Sequence, residues 1–327
     1  DVDVDYVEQK IKETFADMPA PVNPAERVYL EVPDREAPIS IVVTDPETTR
    51  TMISFSYSTD ALPREVKASA VGPAMNYVTS IITSMMNERF EDIAHKPNAP
   101  FVYAGMSMGS VMGFVPTEDE ASFIAIAHEG RTEEALNAIV AEMKRAKEYG
   151  FTAAEYERAK ADLISTYENL LNSKDNRTNT SYADEYSDYF TKGGYIPGIE
   201  VEYQLMNNLA QGFTLELINQ YYQQYTEPKN LVVTLMAPEK EGVKYPTEAE
   251  LLEQYNKALQ QEVEAYTDEF AGVELMENLP EPGKLLSEQT DLKFGATLWT
   301  FDNGAKVYVL PRSEERRVGK ECRSRWS

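Results

Sequence analysis

Cysteine is almost absent: one residue, Cys322, in a chain of 327. One thiol forms no internal disulfide and no thiolate metal cluster. Histidine is nearly as scarce, with only His95 and His128. Any Ser-His-Asp triad would have to use one of these two, and a histidine-rich metal site would need both. Basic charge is in deficit: 31 Lys and Arg against 55 Asp and Glu give a net charge of −24. Phosphate binding needs a basic patch, so nucleic acid is disfavoured as a partner, and an anionic membrane surface equally so. Neutral or basic peptides remain compatible with that charge. No run of about eighteen apolar residues occurs, so no membrane insertion is expected. The chain opens with the acidic stretch DVDVD, where a signal peptide would have a basic region. Any export signal is therefore expected upstream of residue 1.

What is present is enough apolar residue, 42% of the chain, for a globular core. Residues 5–17 place Val7, Ile11 and Phe15 on one stripe, an amphipathic helix. Residues 39–43 read as a short strand, and 52–58 alternate with Ile53, Phe55 and Tyr57 on one face. Residues 71–93 form a long helix with a single apolar stripe. Residues 101–115 read as extended, with bulges or close backbone approach expected at Gly105, Gly109 and Gly113. A strand at 120–127 and two helices divided by Gly150 follow, the second opened by the capping box Thr152–Glu155. Residues 181–225 are helical, broken at Gly193-Gly194 and Pro197-Gly198, and 231–235 form a buried strand. Strands and helices cluster rather than alternate. The fold class expected is α+β: a mainly antiparallel sheet with helices packed on one face.

Composition divides the chain. Residues 1–237 make one domain, and 238–290 an acidic, proline-punctuated linker with one helix that opens with Thr247–Glu250. Residues 291–311 start a further domain with a hairpin over 298–310, turned by the two residues Asn303-Gly304. Residues 312–327 read RSEERRVGKECRSRWS, basic within an acidic chain and without apolar periodicity. This tail resembles the in-frame translation of a sequencing adapter, which excludes it from fold reasoning.

Catalytic chemistry is hard to find. His95 and His128 are 33 positions apart, whereas a His-x-x-Glu-His zinc site needs both imidazoles one helical turn apart. His128-Glu129 resembles the opening of His-Glu-x-x-His, but position 132 is Thr and Gly130 breaks a helix. His128 therefore reads as a loop residue at a strand end, and His95 as a cap on the long helix. No Gly-x-Ser-x-Gly elbow occurs. Met85, Met86, Met106 and Met108 read as core and sheet packing. No catalytic, cofactor-binding or metal residue is assigned.

Four blocks nevertheless occur in a family-specific order: MNERFEDI at 86–93, KPNAPF at 96–101, RAKEYGFT at 145–152 and ERAK at 157–160. With LWTFDNGAKV at 298–307, they resemble the insulinase/pitrilysin-type (inverzincin) zinc metallopeptidases over nearly the whole chain up to residue 311. The resemblance is to the non-catalytic second domain, the linker and the start of the second half. It implies metallohydrolase-like α+β domains and two halves that close into a chamber around a peptide. Zinc is implied for the intact parent enzyme and none for this piece. The implied partners are the missing catalytic domain, the second half of the same chain, and a peptide substrate. Chamber formation in a zinc-dependent peptidase is the first functional reading; a structural, non-catalytic scaffold subunit of the same family is the alternative. Compartment stays open, with a bacterial cell envelope or periplasm among the choices.

Deleting residues 312–327 is expected to leave stability unchanged within about 0.5 kcal/mol, as for changes away from structural features. Calorimetry on the shortened chain checks this. A loss of several kcal/mol, or blue-shifted Trp326 emission, would show the tail to be native.

Overall fold

The apolar stripe at 71–93 becomes the helix on which the main sheet packs. The computed structural model describes residues 3–20, 22, 23, 25, 28–113, 115–268, 281–291 and 295–310. The adapter-like tail at 312–327 therefore lies outside the described residues. In chain order the elements are α1 (Val4–Phe15), β1 (Ile39–Asp45), β2 (Thr51–Asp60), α2 (Arg64–Lys67), α3 (Val71–Ala94), β3 (Phe101–Ser110), β4 (Glu118–Ala127), α4 (Thr132–Tyr149) and α5 (Ala153–Asn172). They continue with α6 (Asn179–Lys192), α7 (Ile199–Gly212), α8 (Leu215–Tyr225), β5 (Val232–Pro238), α9 (Glu248–Gln260), β6 (Leu285–Asp291), β7 (Ala296–Phe301) and β8 (Lys306–Val309). Two compact units divide between Glu269 and Phe270.

In the first unit the strand order is β1-β5-β2-β4-β3. Only β1 and β5 run parallel; the other pairs are antiparallel. Strand alternation separates two faces. Ile53, Phe55 and Tyr57, with Phe123, Ala125, Val233 and Leu235, are buried on one of them. There they meet Tyr77, Ile81, Ile82, Met85 and Met86 of α3 and Leu136, Ile139 and Val140 of α4. Phe55 stacks on Phe123 with centroids 4.7 Å apart and meets the ring of Tyr255 of α9 at 5.3 Å. Tyr255 and Tyr57 share a hydroxyl–hydroxyl hydrogen bond in the core. Burial pushes the Tyr57 hydroxyl up to about 12, so both phenols stay neutral and free to share a proton. The molecule is α+β, mainly antiparallel, with helices on one sheet face.

Several local expectations need correction. Strand β3 ends at Ser110, and Val111–Gly113 form a 3-10 turn with Met112 at φ 51°. The register shift in β3 falls between Phe101 and Tyr103, not at a glycine. Gly105 instead allows close approach, since a Cβ there would lie 2.6 Å from the Tyr103 hydroxyl. Gly193-Gly194 and Pro197-Gly198 fall in one break between α6 and α7, and a second break occurs after Gly212, where the Thr214 side chain accepts a hydrogen bond from Leu217 N and starts α8. The α1 stripe buries nothing: Val7, Ile11 and Phe15 are 39%, 54% and 57% exposed.

Within the stretch 238–290, α9 docks Leu251, Tyr255 and Ala258 into the core of the first unit, and β6 belongs to the second. The second unit is a sheet in the order β6-β7-β8. Its hairpin turn has three residues rather than two. Phe301 N donates to Ala305 O at 2.9 Å and Gly304 N to Phe301 O at 3.0 Å, with Gly304 at φ 83°. That is a type I turn followed by a left-handed glycine, which only the closing bonds distinguish from a two-residue Asn-Gly turn.

The helical layer is organised by a buried cation. Arg89 of α3 is 1% exposed. Its Nε donates to Glu155 Oε1 at 2.5 Å, and Nη2 to Glu155 Oε2 at 3.0 Å and to the Gly150 carbonyl at 3.1 Å. Nη1 donates to Glu142 of α4 at 3.0 Å. The rings of Phe151 and Tyr266 lie 4.8 and 4.2 Å from the guanidinium carbon. Burial opposes the charge most strongly, but Glu155 and Glu142 together outweigh it and hold the Arg89 pKa above its ordinary value. Glu155 also closes the Thr152 capping box, accepting from Thr152 N at 2.7 Å. Removing one partner of such a group strands buried charge, so Arg89→Ala is expected to cost about 3–5 kcal/mol in urea unfolding. A loss under about 1 kcal/mol would show that the network does not hold the helices together.

Candidate functional site

The sheet face away from α3 and α4 is the surface the fold leaves open. Ile39, Ile41 and Val43 of β1 are 38–40% exposed, and Met52, Ser54, Ser56 and Ser58 of β2 are half-buried. Register arranges these residues in rows. Val43, Met236, Met52, Ile126 and Tyr103 form an apolar row across all five strands. The next row is Ile41, Thr234, Ser54, Ile124 and Gly105, and the next Ile39, Val232, Ser56, Ser122 and Ser107. Small side chains over the middle of a sheet let another backbone approach closely. Strand β3 is an edge of this sheet, and Asn87 of α3 caps it at Met106, accepting from its N–H at 2.6 Å and donating to its carbonyl at 3.3 Å. The sequence showed the core face of β2 clearly. It did not reveal the open face, because these serines and glycines have no chemical signature until the register aligns them.

At one end the face runs into a groove of about 410 Å3 lined by Arg50, Val102, Ile126, His128, Lys240 and Tyr245, among others. Glu129 and Lys240 pair across its mouth at 2.7 Å, which lowers the Glu129 pKa and raises that of Lys240. His128 is exposed immediately after β4, the strand-end position read from the sequence. His95 is the C-cap of α3, its Nδ1 2.9 Å from the Glu91 carbonyl. The two histidines thus serve different elements. Among the described residues no group of three or more His, Cys, Asp or Glu side chains is placed to hold a metal. Met85, Met86 and Met106 are buried in the core. No helix among the described residues is long and apolar enough to cross a membrane.

A tight zinc site wants three or four protein ligands in one place. The described residues do not fit the zinc that the resemblance implies for a parent enzyme. The purified chain is expected to retain well under one zinc per molecule by elemental analysis after dialysis. Stoichiometric zinc that is lost in His128→Ala would contradict this.

Residues 1–163 match the family model of the peptidase M16 inactive domain. No curated protein matches the chain. Solved structures of similar fold include the periplasmic protease PqqL from Escherichia coli, at 17% identity and a TM-score of 0.69 over 96% of this chain and 34% of that one. The first half of the same protease aligns over 82% of this chain and 56% of its own, at 17% identity and a TM-score of 0.69. An insulinase family protease from Yersinia pestis aligns at 14% identity and a TM-score of 0.64, over 79% of this chain and 54% of that one. The chain therefore spans about a third of the full PqqL chain and just over half of the other two. Residues 1–163 thus carry the M16 inactive domain of the insulinase/pitrilysin-type peptidases, and the fold is the one seen in the proteases named above.

Proposed function

We propose that this chain is a non-catalytic, chamber-forming part of a zinc-dependent peptidase. The bare sheet face would serve as wall toward a peptide, and the catalytic domain and second half would be supplied elsewhere in the parent. The observation that carries the reading is the one-sided sheet. Every large core side chain of β2 and β5 points to the helices, and the opposite face carries small and half-buried residues. An extended peptide fits a surface of that kind. The M16 inactive domain and the partial coverage of PqqL support the assignment to part of a larger protease.

The test uses the 327-residue chain, a fluorescein-labelled unstructured peptide and anisotropy. Weak saturable binding without cleavage is expected. Placing two long side chains on the bare face, as Ser54→Arg with Ser56→Arg, is expected to weaken binding at least about tenfold, roughly 1.4 kcal/mol. Far-UV circular dichroism should remain unchanged. Cleavage by the isolated chain, or no binding at all, would overturn the reading. The second outcome would favour the scaffold-subunit alternative.

A further inference from the structure

The open face changes character along the strands in the same order on both central strands. Along β2 it runs Arg50, Met52, Ser54, Ser56, Ser58 and Asp60, the first of these just before the strand. Along β4, in the opposite chain direction, it runs His128, Ile126, Ile124, Ser122, Glu120 and Glu118. Each strand therefore passes from a cationic or titratable group through apolar residues and serine to a carboxyl. The ten residues of β2 give this path a length of roughly 30 Å.

The two ends differ in how their charges are met. At the groove end, Glu129 is taken by Lys240 at 2.7 Å and Glu133 by Lys257 at 3.6 Å. Asp45 turns into the loop after β1, where its Oδ1 accepts from Glu47 N at 2.7 Å and Thr48 N at 3.2 Å. Arg50 and Lys244, which also line the groove, have no ion pair among the described residues. At the other end, Glu118 is 3% exposed and its Oε2 has no hydrogen-bond partner among the described residues. Its cross-strand neighbour is Asp60, and Glu120 follows one row along. Lys229 pairs with Asp34 at 2.9 Å and also feels the charges of Asp60 and Glu118, while Lys67 lies 3.5 Å from Asp119. A buried carboxyl without a donor is costly and is expected to recruit one.

We propose that this polarity orients a bound peptide: a free carboxylate or acidic residue docks at Arg50 and Lys244, and an amino terminus or a Lys or Arg side chain docks at Asp60 and Glu120, beside the buried Glu118. The peptide then runs antiparallel to β2, with its middle over Ser54, Ser56 and Ser122. The preferred ligand class is an extended peptide of about nine or ten residues, basic toward its amino end and acidic toward its carboxyl end. Complementary charge at two ends sets direction more than affinity, since each exposed pair contributes little by itself. This inference rests on the reading of the face as a peptide-binding wall.

The experiment compares two fluorescein-labelled decapeptides of identical composition, one with Lys-Lys near the amino end and Asp-Asp near the carboxyl end, the other reversed. In low salt the first is expected to bind the full chain about fivefold tighter, the order of two exposed ion pairs. That preference should shrink in 0.5 M sodium chloride, where charges farther apart than roughly 4 Å are largely screened. Arg50→Glu with Lys244→Glu should abolish or invert the preference, and so should Glu120→Lys, which leaves the buried Glu118 in place. Equal binding of both peptides would overturn the orientation while leaving the wall intact. Binding of neither would overturn both.

Discussion

The architecture of the first unit depends on one guanidinium kept out of water. Arg89 carries full charge at 1% exposure, and its compensation comes from two other helices: Glu142 of α4 and Glu155 of α5. A buried charge tolerates little misplacement, because losing one partner exposes the full desolvation cost. The three helices are therefore held at a fixed separation and rotation. The same carboxylate of Glu155 that meets Arg89 also caps the start of α5, so the helix boundary and the tertiary contact are set by one side chain. Gly150, at φ 76°, turns the chain between α4 and α5, presents its carbonyl to Arg89, and leaves no room for a Cβ against Asn219. Asn219 in turn accepts from Phe151 N at 2.8 Å and ties α8 to the same corner.

That fixed helical layer decides which sheet face is covered. With α3 and α4 held against Ile53, Phe55, Phe123 and Leu235, the opposite face is left to small and medium side chains. α9 extends the covered side by placing Tyr255 beside Phe55 and Tyr57. The segment after it is strapped to the same layer. Lys144 donates to the Gln261 carbonyl at 2.6 Å, Tyr149 to the Val263 carbonyl at 3.1 Å, and Tyr266 to Asp92 at 2.9 Å. Compositionally this stretch read as linker. Its anchoring residues are too far apart in sequence for composition to show the contact.

Much of the fold was legible because burial imposes a period. The stripes of α3, α4 and α9 and the alternation of β2 are direct records of which side meets the core. Both capping boxes, Thr152–Glu155 and Thr247–Glu250, form as written, because the signature and the hydrogen bonds lie within one turn. α1 shows the limit of that logic: its stripe is genuine, yet the described structure offers nothing for it to cover. The hairpin after β7 shows another. Asn303-Gly304 named the turn, but the Phe301–Ala305 bonds decided its length. The family blocks at 86–93 and 145–152 were visible as words. That they meet at Arg89 was not, since 53 and 66 residues separate Arg89 from its two carboxylates.

By itself the sequence determined the element types, the acidic charge, the scarcity of metal and triad ligands, and the resemblance to a peptidase family. These follow from local periodicity, composition and short-range spacing, which need no knowledge of what lies across the fold. Tertiary structure alone decided the strand order, which face of the sheet stays open, and how Arg50, the serines and Glu118 fall into line. Those depend on register between strands that are mostly distant in sequence, as in Met52 against Ile126 and Met236. A one-residue slip would exchange the two faces, and only the buried packing of the whole unit selects between them.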